Sequence, residues 1–268
     1  MTRQAITALE AIHRDVLSLL DAMSEDDWAK PSACEGWRVQ DVFAHMTSNM
    51  AETVEPTPPP EDPPPAMKAE EAMEALVAPR KDWTPEQVRA EYDRFYDGWI
   101  GAMAAMQDEP TASTVAPLAD LGSHALHLVA NAYAFDHYCH LRIDLLAPTG
   151  PLTTDLPEPT DDMVRPGIDW MMAGLPQMQP DELPGVITAP LRIELTGPGG
   201  GTWTLTPAGD DGFVGCVESA EGDAAATVTS SAHDFVSWGT KRADWRPSCT
   251  VSGDEAYAAS VLDVINII

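Results

Sequence analysis

Apolar side chains spaced three and four residues apart dominate the first 150 positions, and this period constrains the fold more than any other feature of the chain. Ile6, Leu9, Ile12, Val16, Leu19, Leu20 and Met23 share one face of a helix over roughly the first 23 residues. Val39, Val42, Phe43, Met46 and Met50 repeat the pattern within "VQDVFAHMTSNMAETV", and the run "EPTPPPEDPPPA" that follows excludes helix and strand interior alike. A third helix starts after Thr84, where Pro85 takes the first position, Gln87 completes a capping box and Trp83 can pack on Val88. It is expected to reach about Met106. A fourth spans roughly 122–146 and stops at "APTGP". Four long helices joined by loops predict an antiparallel four-helix bundle over 1–150.

Beyond that point the period changes. "LRIELTG" and "TWTLTPAG" alternate apolar and polar residues around "PGGG", "GFVGCVES" and "AATVTSS" read as further strands, and "AHDFVSWGTK" and "DEAYAASVLDVINI" as helices. Residues 191–268 are therefore expected to form a small α+β domain, joined to the bundle by a Pro-rich connection over 151–190. The glycines at 199–201 lie between two strands and lack a following helix and Lys-Ser/Thr, which makes them a hairpin turn rather than a phosphate loop.

Charge narrows the function. Against 43 acidic residues stand 15 basic ones, a formal charge of -28, which repels nucleic acid and anionic membranes at long range. Charges interrupt the N-terminal apolar residues, and no run approaches the roughly 20 apolar residues of a membrane span. The expectation is a soluble, cytoplasmic protein acting as a monomer or homodimer. Cysteines at 34, 139, 216 and 249 form no CxxC pair, which argues against a disulfide framework or zinc knuckle.

The chemistry concentrates in "DHYCHLRID", residues 136–144. On a wheel of about 100° per residue, Asp136 and His140 fall near the centre of an arc containing Leu128, Val129, Ala132, Tyr133, Phe135, Ile143 and Leu146, while His127 and Asn131 point the other way, towards water. A buried carboxylate costs several kcal/mol unless it is paired or bound to a metal. The i, i+4 spacing lets Asp136 and His140 bond to each other or share one cation. His45, on the flank of the second helix's apolar stripe, offers a third ligand from a neighbouring helix. His13 competes for that role from the first helix. His137 is rotated by about 100° from Asp136, His124 and His127 can place at most one ring on its face, and His233 stands at the head of a C-terminal helix. Cys139 reads as a small core residue, and His137, Cys139 and Asp144 as bystanders.

The run "WAKPSACEGWRVQDVFAHM", residues 28–46, resembles the N-terminal domain of mycothiol-dependent maleylpyruvate isomerases, a branch of the DinB-like metal-binding bundles. Beyond residue 150 the chain resembles, more weakly, their second domain, a sterol-carrier-like α+β fold. The resemblance implies a divalent metal, commonly zinc, held by His45, by Asp136 in place of the family's glutamate, and by His140. Aspartate shortens that reach by one methylene, and Arg38 stands where relatives often carry a Thr or Ser cap. Also implied are mycothiol as cofactor, a small-molecule substrate, a cleft between the domains, and a C-terminal arginine that holds the substrate carboxylate. Arg242 is the first candidate for that arginine and Arg246 the second. In the family's isomerase reaction a thiolate adds to a cis double bond conjugated to a carbonyl, a single bond rotates, and elimination yields the trans product; an open zinc position favours the thiolate. S-transfer to an electrophile is the close alternative. A metal-dependent hydrolase and a non-catalytic metal- or apolar-ligand-binding protein are the readings from other classes.

Overall fold

The computed structural model describes residues 3–58 and 67–267. The chain divides into two compact units, one ending at Pro157 and the other beginning at Glu158. Most of the proline-rich run, residues 59–66, lies outside the described residues.

The first unit is helical. Helix α1 is Gln4–Ala22, α2 Val39–Val54, α3 Ala69–Val77, α4 Pro85–Ala105 and α5 Leu128–Cys139. Helix α2 packs against α3 and α4, and α1 packs against α5. Every residue of α2 from Val39 to Ala51 is buried, so polar side chains on this helix meet protein whichever way they point. The apolar stripes supply Ile12, Val16, Leu19, Val42, Phe43, Met46 and Trp99 to the core, each contributing about 1.5–3 kcal/mol by leaving water.

Helix starts follow local chemistry. The Thr84 N–H donates to Gln87 Oε1 at 2.8 Å and the Gln87 N–H to Thr84 Oγ1 at 3.4 Å, closing the capping box. Helix α2 begins without a hydroxyl cap. Instead Asp41 accepts from the Arg38 backbone N–H at 2.9 Å and from the Arg38 guanidinium at 2.9 and 2.8 Å, so a carboxylate in the first turn serves the orphan donor.

The fourth long helix starts later than the periodicity predicts. Strands β1 (Val115–Pro117) and β2 (Ser123–Ala125) pair antiparallel as a short hairpin. Gly122 enters β2 at φ 104, a conformation that no helix interior accepts. Helix α5 begins at Leu128, and its last turn, His140–Leu145, widens into a π-helix.

The second unit is α+β: α6 (Asp161–Met178), α7 (Leu183–Val186), β3 (Leu191–Thr196), β4 (Gly201–Thr206), β5 (Gly215–Glu218), β6 (Ala226–Ser231), α8 (Ala232–Gly239), β7 (Thr250–Gly253) and α9 (Glu255–Leu262). Its sheet runs β5-β4-β3-β6-β7, with β3 and β6 parallel and the other neighbours antiparallel. The triple glycine is a hairpin turn: Gly197 and Gly199, at φ 74 and 76, reverse the chain between β3 and β4.

The stretch 151–190, expected as a connection, is largely part of this unit. Helix α6 keeps Pro166 and Pro176 inside it, although each proline removes a backbone bond. Burial of Met163, Val164, Ile168, Trp170, Met171, Met172 and Leu175 outweighs that loss. None of the four cysteines is in a disulfide, and among the described residues no helix is long and apolar enough to cross a membrane.

Candidate metal centre

Helices α2 and α5 bring His45, Asp136 and His140 together. His45 Nε2 lies 3.0 Å from Asp136 Oδ1 and 3.3 Å from Oδ2, and His140 Nε2 lies 3.4 Å from Oδ1. One ligand atom from each residue sits within 4.8 Å of the other two. The imidazoles meet edge to face, 4.8 Å between centroids. Their side chains are 3% and 9% exposed, whereas the Asp136 side chain is 26% exposed, so part of that side chain meets solvent.

Behind His140 stands Asp144. The His140 Nδ1–H donates to Asp144 Oδ2 at 2.8 Å, and the Asp144 side chain is 0% exposed. That bond fixes the tautomer and leaves Nε2 for the centre. Asp144 is thus a partner rather than the bystander expected, and one more i, i+4 step along the helix from His140 is the signal that points to it. His45 is supported differently. Its Nδ1 is buried and has no hydrogen-bond partner among the described residues, and Asn49 Nδ2 lies 3.4 Å from its Nε2.

The charges reinforce one another. Burial works to raise the Asp136 pKa, but the charges of His45 and His140 and the hydrogen bonds from both hold the carboxyl well below the usual range. Burial likewise opposes protonated His140, yet Asp136, together with hydrogen bonds to Asp136 and Asp144, pushes its pKa up to about 9. His137 behaves oppositely: burial dominates and lowers it to about 4. Its ring stacks on Trp99 at 5.1 Å, and its Nε2 stays 3.9 Å from Asp136 Oδ2, outside the trio.

Two imidazole nitrogens and a carboxylate oxygen are a donor set suited to zinc and other divalent first-row ions. The shorter aspartate still reaches both nitrogens, at 3.0 and 3.4 Å. The residues fit such an ion, and without one the same contacts are hydrogen bonds.

The sequence profile of the mycothiol maleylpyruvate isomerase N-terminal domain matches residues 9–145. The chain belongs to this family. Among solved structures, a mycothiol-dependent maleylpyruvate isomerase is similar at a TM-score of 0.56 and 17% identity, covering 93% of this chain and 92% of that one. A histidine-to-alanine mutant of a mycothiol-dependent maleylpyruvate isomerase is similar at 0.55 and 16%, with the same coverage. At these identities the likeness establishes the fold, a helical N-terminal domain with an α+β C-terminal one. No curated protein matches the chain. Membership of the isomerase family makes the chain one of a thiol-dependent enzyme family.

The remaining candidates lie outside the trio. His13 Nδ1 pairs with the Tyr92 hydroxyl at 3.0 Å and its ring stacks on Tyr96 at 3.4 Å. His124 Nε2 donates to the Leu121 carbonyl at 2.9 Å, and His127 Nδ1 to that of Ala112 at 2.9 Å. His127 and Asn131, expected to meet water, are half-buried, and for His127 the reason is the segment leading into the β1–β2 hairpin, which supplies the Ala112 carbonyl. His233 is exposed at the start of α8. Arg242 and Arg246 both follow α8 in the second unit. Arg246 pairs with Asp263 at 2.9 Å and Asp244 at 3.2 Å, while the Arg242 N–H donates to the Ser237 carbonyl at 3.0 Å and its side chain is half-buried.

Proposed function

We propose that this protein is an enzyme that uses a low-molecular-weight thiol, mycothiol, at a divalent-metal centre formed by His45, Asp136 and His140. The proposed reaction is cis–trans isomerisation of a maleylpyruvate-like unsaturated acid. The observation that carries this reading is the convergence of His45 Nε2, the Asp136 carboxylate and His140 Nε2 from two helices, within the part of the chain that the family profile spans.

A divalent ion, zinc foremost, supplies when bound the positive charge that favours a thiolate at neutral pH. The chain's residues do the rest. Asp144 holds the His140 Nδ1 proton so that Nε2 faces the centre. Asp136 brings negative charge between two imidazoles, and its side chain, 26% exposed, marks the side from which reactants would approach. Arg242 is the proposed clamp for a substrate carboxylate, a role that suits a guanidinium's paired donors. Arg246, whose guanidinium pairs with Asp244 and Asp263, is the second candidate.

S-transfer to an electrophile draws on the same thiol and the same residues, and product analysis separates the two reactions. The test is calorimetric titration of zinc-loaded protein with mycothiol, followed by addition of maleylpyruvate. Thiol binding and a trans product are expected. Metal uptake without thiol binding would favour a binding role, and turnover without thiol would favour a hydrolase.

A further inference from the structure

Trp37, in the loop before α2, lies against both histidines of the trio. Its ring is 5.2 Å from His45, tilted by 45°, and 6.2 Å from His140 within 29° of parallel. The indole is anchored from another element: its N–H donates to Glu74 Oε2 at 2.8 Å, and Glu74, on α3, also pairs with Lys81. The Trp37 carbonyl accepts from the Ser32 N–H at 2.9 Å and the Ser32 hydroxyl at 2.8 Å. The Ala33 N–H donates to the Asp144 carbonyl at 3.0 Å, which fastens the loop to the turn carrying His140. An indole held through its N–H and its backbone lies against both histidines, while the Asp136 side chain keeps 26% of its surface exposed.

We propose that Trp37 is a positioning residue of this centre: its indole walls off the histidine side and offers an aromatic ring against which the thiol packs beside Asp136, with Glu74 setting the angle of the ring. Sulfur makes favourable contacts with aromatic rings, often at the ring edge, where the ring quadrupole is positive. The inference rests on the thiol-dependent reading above.

The test compares zinc-loaded wild type with Trp37→Phe, Trp37→Ala, Glu74→Ala and the Trp37→Phe/Glu74→Ala double variant, measuring metal per chain and the mycothiol Kd. Metal content is expected to stay at the wild-type level throughout, since neither residue is a ligand. The Kd is expected to rise about tenfold in Trp37→Ala and about threefold in Trp37→Phe and Glu74→Ala. The double variant should be no weaker than either single one, because both remove the same N–H···O bond. Trp37→Phe keeps a ring in place should the alanine variant fold poorly. Unchanged thiol affinity in all variants overturns the inference alone, as does metal loss in parallel with thiol loss, which makes Trp37 a support for the histidines only. A wild type that takes up zinc and ignores mycothiol overturns the thiol reading, and this inference with it.

Discussion

The two units bury different kinds of polar group. In the bundle the buried polar residues include Asp15, Asp41, His45, His124, His137, His140 and Asp144. In the α+β unit, among the described residues, they are Gln179, Thr204, Ser230 and Thr240, all neutral and all hydrogen-bonded to carbonyls. Taking a charge out of water costs several kcal/mol unless partners compensate it, and the first unit accepts that cost at several buried residues whereas no charged one among the described residues of the second is buried. Some of the bundle's buried charges are closed pairs, such as Arg142 with Asp15. The cluster at the α2–α5 contact is different, because two nitrogens and a carboxylate face one another and part of the Asp136 side chain meets solvent. The contrast sets the proposed centre in the bundle apart from the neutral buried groups of the second unit.

The contrast breaks if the cluster is replaceable. His45→Ala and His140→Ala are each expected to weaken zinc binding by more than the roughly 10–100-fold typical of losing an outer partner, as read by chelator competition. Asp144→Asn, which keeps the shape and loses the charge behind His140, should cost about 10–100-fold in the same assay; an unchanged affinity would return Asp144 to a packing role.

Proton linkage comes next in size. In the metal-free protein the His140 pKa is raised to about 9, above the ordinary histidine value near 6.5. Its contribution to stability is therefore complete below about pH 6.5 and is lost as pH climbs through about 9. Chemical denaturation of the metal-free protein at pH 6.5 and pH 9.5 should show a drop on the order of 3 kcal/mol, and Asp144→Asn should shrink it. A flat profile would contradict the assigned proton.

The smallest effect is expected in the other unit. Ser231 accepts from the Asp234 N–H at 3.0 Å and caps α8. Ser231→Ala should cost about 1 kcal/mol of stability and leave zinc affinity alone. A change in zinc affinity there would erase the division between the units.

Much of this is legible in the amino-acid order, for physical reasons that differ by element. Helices α1, α2 and α4 announce themselves because their apolar stripes run over several turns and α4 carries a complete capping box. The hairpin β1–β2 has three-residue strands, too short for an alternation to show. Helix α6 is hidden by Pro166 and Pro176, which read as punctuation until the burial of its apolar face overrides them. At the centre, Asp136 and His140 follow from helical spacing, whereas His45 needs knowledge of which helices are neighbours. The grip of Glu74 on Trp37 depends on α3, which lies just beyond the proline run and is only nine residues long, too short for its apolar stripe to stand out.

Elemental analysis of purified wild type beside His45→Ala and His140→Ala asks whether α2 and α5 together hold one divalent ion. About one ion per wild-type chain and little in either variant is expected. Equal metal in all three, or none in the wild type after incubation with zinc, would contradict that expectation.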